Sequence, residues 1–237
     1  MISLLLLGLL LGMRHALEAD HLAAVASLAT RSKGMRGTVL QGAVWGLGHT
    51  ITLLLVGGVC LLLRAAISAR LAAALEGAVG VMLLLLGADV LIRMRRRRVH
   101  LHLHRHDDGT VHFHAHRHAP EEAHDRDHHQ HAHAQGFPLR ALLVGMVHGL
   151  AGSAALLLVT LTTLSSAWLG MAYIAVFGVG SIAGMAVLAA AIALPLKGTS
   201  RALTGWTNGL EAAIGVGTVL VGAWVLYNSP WVQGLLG

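Results

Sequence analysis

Arg14-His15-Ala16-Leu17-Glu18-Ala19-Asp20-His21 carries five ionisable side chains in eight residues, with apolar sequence on either side of it. In hydrocarbon such groups are costly, and where they occur they mark ion pathways and binding sites. Imidazole beside carboxylate is borderline ligand chemistry that suits nickel, cobalt, zinc or copper. Magnesium and calcium prefer all-oxygen sites, and copper(I) prefers Cys and Met. A first-row divalent metal is the expected guest.

Spacing constrains how such a guest is held. On a regular helix His15 and His21 lie about 9 Å apart along the axis and differ by roughly 120° in direction, too far for one metal. Either the helix unwinds around Ala16 to Ala19, or the residues act in successive sites. Arg14 and Glu18, four apart, are expected to pair on one face and offset each other's burial. A salt-bridge cluster that only locks spans together would explain that pair but not the two histidines.

The elements that position these residues follow from composition. At 55% hydrophobic and 12% charged residues, with a mean hydropathy of +0.68, the chain reads as an integral membrane protein. Its 237 residues hold six spans of about 20 residues and one polar insert, with no room for a large soluble domain. The spans are read at 2–29, 39–63, 71–92, 138–164, 169–194 before Pro195, and 203–227 before Pro230. Cys60 is alone, so no intramolecular disulfide can form, and no removable signal peptide is read at the N-terminus.

The sequence pI near 10.7 would point to nucleic acid in a soluble protein. Here the Lys and Arg residues cluster beside apolar runs, so nucleic acid is not an expected partner and membrane lipid is. The first connection carries Arg31, Lys33 and Arg36, the third carries nine Lys/Arg, and the fifth carries Lys197 and Arg201. The second has only Arg64 and Arg70. The positive-inside rule then places the protein in the cell inner (plasma) membrane as a multi-pass protein, with both termini outside and the insert cytoplasmic.

The two halves repeat. Gly12-Met13-Arg14-His15 matches Gly145-Met146-Val147-His148, Ala43 to Gly48 matches Ala175 to Gly180, and Leu75 to Val81 matches Leu210 to Val216. The offsets are 133, 132 and 135 residues. Three spans per copy is an odd number, so the second copy inserts upside down, the architecture of many secondary transporters. The expected fold is all-α and polytopic: six transmembrane helices as a 3+3 inverted repeat, with the first helix broken. Residues 1–98 form the first repeat, 99–136 a cytoplasmic loop and 137–237 the second repeat. Chemistry is distributed unequally. His15, Glu18, Asp20, His21 and His49 fall opposite His148, Ala151, Ser153, Ala154 and Ser181 or its neighbour Ile182, so His148 faces an asymmetric site and Ser153 stands in a supporting place.

His15-x4-Asp20-His21 resembles the signature of the nickel/cobalt transporter permeases (NiCoT, NicO superfamily). That family usually has Asp where this chain has Glu18. Leu47-Gly48-His49-Thr50 is similar to its second motif, and His148-Gly149-Leu150-Ala151-Gly152-Ser153-Ala154 to a block in its short six-span members, including urease accessory permeases of the UreH type. The resemblance covers five of the six spans in patches. It implies transport of Ni2+ or Co2+ as substrate, with His15, Asp20, His21 and His49 recognising the metal, His148 joining them, and Arg14 and Glu18 in support. No cofactor and no enzymatic activity are expected. The permease motif favours uptake, with efflux by the same fold, or a membrane metal chaperone or sensor, as the alternatives. A membrane hydrolase has the ligand types but lacks a nucleophile and a second acid.

The insert is histidine-rich. His100, His102, His104 and His106 alternate, as do His112, His114, His116 and His118, on either side of Asp107-Asp108-Gly109. Period-two alternation around an Asp-Gly turn predicts a hairpin with its imidazoles on one face, a cluster able to take several divalent ions, Zn2+ among them. The competing reading is a low-complexity linker that binds metal through numbers alone. Either way it would buffer or sense metal near a cytoplasmic metallochaperone. Glu76 and Glu211 read as acids near helix starts, with gating or proton coupling as the alternative, Asp89 with Arg93 as a surface pair, and most Trp and Tyr residues, Tyr173 included, as interfacial anchors, with Trp45 packed deeper.

Overall fold

The computed structural model describes residues 2–32, 34–63, 67–96, 100–105, 111–116, 138–163, 166–197 and 204–236, with side chains described except in the two strands and at residues 2, 152–163, 197, 204, 205, 231, 235 and 236. In chain order the elements are α1 (Ile2–His15), α2 (Ala19–Ala29), α3 (Met35–Leu63), α4 (Ala69–Arg96), β1 (His100–Arg105), β2 (Val111–His116), α5 (Leu139–Thr163), α6 (Ala167–Lys197), α7 (Thr204–Asn228) and α8 (Pro230–Leu236). Among the described residues, four helical stretches are long and apolar enough to cross a membrane: Met35–Leu63, Ala69–Arg96, Ala167–Leu196 and Trp206–Asn228. Ser3–His15, Ala19–Ala29 and Leu139–Ala151 are shorter apolar segments. Leu10, Leu55, Leu62, Leu85 and Leu220 are each more than half exposed, the outward apolar surface of a multi-pass membrane protein.

The first span is interrupted, as the spacing of His15 and His21 requires for a shared site. Leu17 N–H bonds Arg14 O at 2.9 Å and Glu18 N–H bonds His15 O at 3.1 Å, so α1 tightens into a three-residue turn and stops. Glu18 is extended at φ −64° and ψ 148°, and its carbonyl accepts the first bond of α2 from Leu22 at 2.9 Å. The fifth span departs from expectation: α6 continues through Pro195. Pro195 removes one helix N–H and crowds the carbonyl four residues back, and the helix ends two residues later at Lys197.

Small residues let the helices cross closely, as packing without a water-driven force between helices requires. Gly12 on α1 lies against the backbone of Phe177 and Ser181 on α6, and Gly145 on α5 lies against the backbone of Trp45 and His49 on α3. Any Cβ there would overlap the neighbouring chain. Antiparallel α4 and α7 cross in the same fashion. A Cβ on Gly87 would sit 2.8 Å from both Gly215 O and Val219 N, and one on Gly222 would sit 2.9 Å from Gly80 O and 2.8 Å from Leu84 N. The hydroxyls of Ser27 and Thr218 share a 2.9 Å hydrogen bond that ties α2 to α7. Tyr173 is not an interfacial anchor: it is buried, with its ring under Gly8. Trp168, Trp206 and Trp224 are exposed.

β1 and β2 pair antiparallel, with His100 opposite His116, His102 opposite His114 and His104 opposite His112. The alternating pattern thus folds as the hairpin it predicts. The intervening turn, His106, His118 and the histidines from His124 to His133 lie outside the described residues.

Candidate metal centre

The break between α1 and α2 turns His15 and His21 toward each other, with ring centroids 4.2 Å apart. His49 arrives from the middle of α3, 5.3 Å from the His15 ring and 5.4 Å from the His21 ring. His148 arrives from α5, 4.1 Å from the His21 ring. Four imidazoles from the two halves therefore converge on one point. His21, His49 and His148 are at most 1% exposed.

Asp20 holds two of these rings. His21 Nδ1 donates to Asp20 Oδ1 at 2.9 Å, and the His21 backbone N–H donates to the same oxygen at 2.9 Å. His148 Nε2 donates to Asp20 Oδ2 at 3.0 Å. Asp20 lies in the first turn of α2, where a carboxylate complements the partial positive charge of the helix start. Glu18 performs a similar task for His15, whose Nδ1 lies 2.9 Å from Glu18 Oε1. The expected Arg14–Glu18 pair does not form among the described residues. The chain leaves the helix between them, so the i,i+4 relation is lost; Arg14 is exposed and Glu18 turns to His15.

Several nitrogens remain. Among the described residues His21 Nε2, both ring nitrogens of His49, and His148 Nδ1 are buried without hydrogen-bond partners. Each buried orphan of this kind costs about 1–3 kcal/mol, so a cluster of them is costly unless something binds it. Ligand atoms from His15, His21 and His49 lie within 4.8 Å of one another, and so do those from Asp20, His21 and His148. Either triad can hold a metal. In the first, Asp20 and Glu18 fix the rings from outside, the arrangement that normally orients metal-binding imidazoles. His21 belongs to both triads, so they overlap as neighbouring positions.

Aromatic walls enclose the cluster. Trp45, fully buried, stands 5.3 Å from both the His21 and the His148 ring, and Phe177 stands 5.4 Å from His15. A cavity of about 310 Å³ reaches the site, lined by His15, Glu18, Asp20, His21 and His148 together with Glu76 and Val79 of α4 and Trp224, Val225 and Asn228 of α7. In the sequence Glu76 reads first as a helix-start acid, with gating or proton coupling as the alternative. The signal that finds it is an acid carried inside a membrane-spanning helix. Ser181, 132 residues after His49, is fully buried with its hydroxyl unpartnered among the described residues. The Ser153 side chain lies outside the described residues.

No family model matches the chain, and no solved structure matches it. It is similar to the urease accessory protein UreH of Bacillus sp. (strain TB-90), 32% identical over 236 residues that span 99% of this chain and 95% of that protein. With 32% identity running over nearly the full length of both chains, this chain belongs to the UreH family of urease accessory proteins.

Proposed function

We propose that the protein carries a divalent transition-metal ion, Ni2+ or Co2+, across the cell membrane, in the direction of uptake. The observation behind this reading is the buried convergence of His15, His21, His49 and His148 at a helix break, with ring nitrogens left without partners. His15, His21 and His49 take the ion, Asp20 orients His21 and His148, and Glu18 orients His15. The second triad gives Asp20 and His148 a turn as ligands as the ion passes. Kinship with a urease accessory protein favours Ni2+, since that name ties the relative to urease, a nickel enzyme.

The fold works as a 3+3 inverted repeat of six spans, α1 and α2 together forming the first. The reciprocal close contacts support this. Gly12 and Gly145, 133 residues apart, each meet the backbone of the other half at positions 132 residues apart: Phe177 and Ser181 in one case, Trp45 and His49 in the other. At α4 and α7 an offset of 135 exchanges Gly87 with Gly222, Gly80 with Gly215 and Leu84 with Val219, and the contacts exchange with them. Both termini lie outside and the hairpin lies in the cytoplasm, where it buffers the delivered ion, accepts Zn2+ as well, and passes nickel to a metallochaperone.

Metal content of cells expressing the chain tests direction: nickel or cobalt above the empty-vector control supports uptake, and a level below it replaces uptake by efflux. Deleting residues 100–133 separates a carrier from a chaperone. A carrier keeps most of its flux, whereas a chaperone acting through the hairpin loses its function.

A further inference from the structure

The cavity leaves the histidines between one end of α4 and one end of α7, past Glu76 and Asn228. The offset that relates the two helices carries Glu76 to Glu211, Trp224 to Asp89, Val225 to Val90 and Asn228 to Arg93. These equivalents sit together at the opposite end of the bundle, where α4 and α7 again adjoin, Gly215 packing on Val90 and Leu91. Among the described residues none of them lines the cavity, and Val90 is 1% exposed.

What occupies that end is charge. Asp89 accepts from Arg31 Nε at 3.0 Å and is also paired with Arg31 Nη2. Arg93 Nε donates to Asp89 Oδ2 at 3.3 Å, and Arg140 Nη2 lies 3.6 Å from the same oxygen. Arg93 further donates to Thr30 Oγ1 at 3.0 Å. One carboxylate thereby gathers the end of α2, the end of α4 and the start of α5. Asp89 with Arg93 is therefore not a plain surface pair. It is the hub of a cluster that joins the two halves, placed where the repeat puts the mirror image of the open cavity.

We propose that the Asp89–Arg31–Arg93–Arg140 cluster is the gate of a second half-pathway, and that its release opens a route from the other side of the membrane to the same histidines, past Val90 and Glu211. The inference rests on the transport reading above. The two mouths are unlike in chemistry: the open one presents neutral Trp224 and Asn228 where the closed one presents Asp89 and Arg93. A charge lock therefore exists at one end, and breaking it shifts the balance of the two states in one direction.

Two pseudo-equivalent reporters test this on the purified full chain with Cys60→Ala: Val225→Cys in the open cavity and Val90→Cys at the closed end, each labelled with a hydrophilic maleimide. With the cluster intact, the Val225 reporter reacts faster. Asp89→Asn, or Arg31→Gln as the milder lesion, should raise the Val90 rate by at least about tenfold, one decade in a two-state ratio, and slow the Val225 reporter. If Val90 labelling is unchanged in a folded variant, the gate is excluded. If both reporters speed up together, the cluster only braces the fold, and the gate is again excluded. Ni2+ flux into proteoliposomes is measured separately. Absent flux with reciprocal labelling overturns the transport reading alone, and flux with unresponsive labelling overturns the gate alone.

Discussion

Asp20 Oδ2 lies 3.0 Å from His148 Nε2, joining two residues 128 positions apart and on opposite halves of the chain. The other Asp20 oxygen holds His21, so a single carboxylate sets the direction of one ring from each half. With Nδ1–H of His21 committed to Asp20, the lone pair of Nε2 is left for a metal.

Asp20→Asn should therefore weaken Ni2+ binding by about 10- to 100-fold, the usual effect of losing a carboxylate behind a metal-bound imidazole. An amide can accept from one ring but presents an N–H to the other, so one imidazole loses its orientation. Isothermal titration of the purified protein checks this. An unchanged affinity would place Asp20 outside the metal centre.

His49→Leu should trade function for stability. It removes two buried ring nitrogens that have no partner among the described residues, each orphan costing about 1–3 kcal/mol. The metal-free variant should melt at or above the temperature of the metal-free native chain, while the rise in Tm on adding Ni2+ shrinks to what the Asp20–His21–His148 triad alone supports. A destabilised variant whose response to Ni2+ equals that of the native chain would contradict the assignment.

The close crossings predict a matched pair of lesions. Gly12→Val and Gly145→Val both push a side chain into the backbone of the opposite half, and overpacking of this kind costs about 1–3 kcal/mol or more. Gly209 has nothing within 4 Å of its Cβ position, so Gly209→Val should leave the melting temperature near that of the native chain. Thermal melts in detergent read all three. Tolerance at Gly145 alone would break the reciprocity between the halves.

Protons compete with metal for the same imidazole lone pairs, so binding must weaken as pH falls. Ni2+ binding should weaken as pH is lowered from 7.5 to about 4, a range that spans the titration of ordinary and buried imidazole. A shift in apparent affinity across this window is the readout. A flat profile would point to carboxylate rather than imidazole ligands.

Much of this arrangement is legible in the sequence, for physical reasons that differ by element. The spacing of His15 and His21 cannot serve one metal on an intact helix, and the chain does break at Ala16–Glu18. The alternation of His100 to His104 and His112 to His116 is a strand period, and those residues pair in register. Three connections are not legible. Arg14 and Glu18 look like a helical pair only while the helix is assumed continuous. Asp89 reads as a local partner of Arg93 because sequence spacing cannot show Arg31 and Arg140 arriving from elsewhere. Glu76 reads as a helix-start acid until α4 and α7 are set around a cavity that also reaches His148. Local periodicity finds the residues, and only the crossing of helices tells which of them meet.

The central claim is tested most directly by Ni2+ entry into proteoliposomes that hold a metal-sensitive dye, comparing the native chain with His49→Leu and His21→Ala. The native chain should admit Ni2+ above protein-free vesicles, and both variants should fall to that background while remaining folded. A native chain that passes neither Ni2+ nor Co2+ in either direction, or variants that match its flux, would contradict transport through the histidine centre.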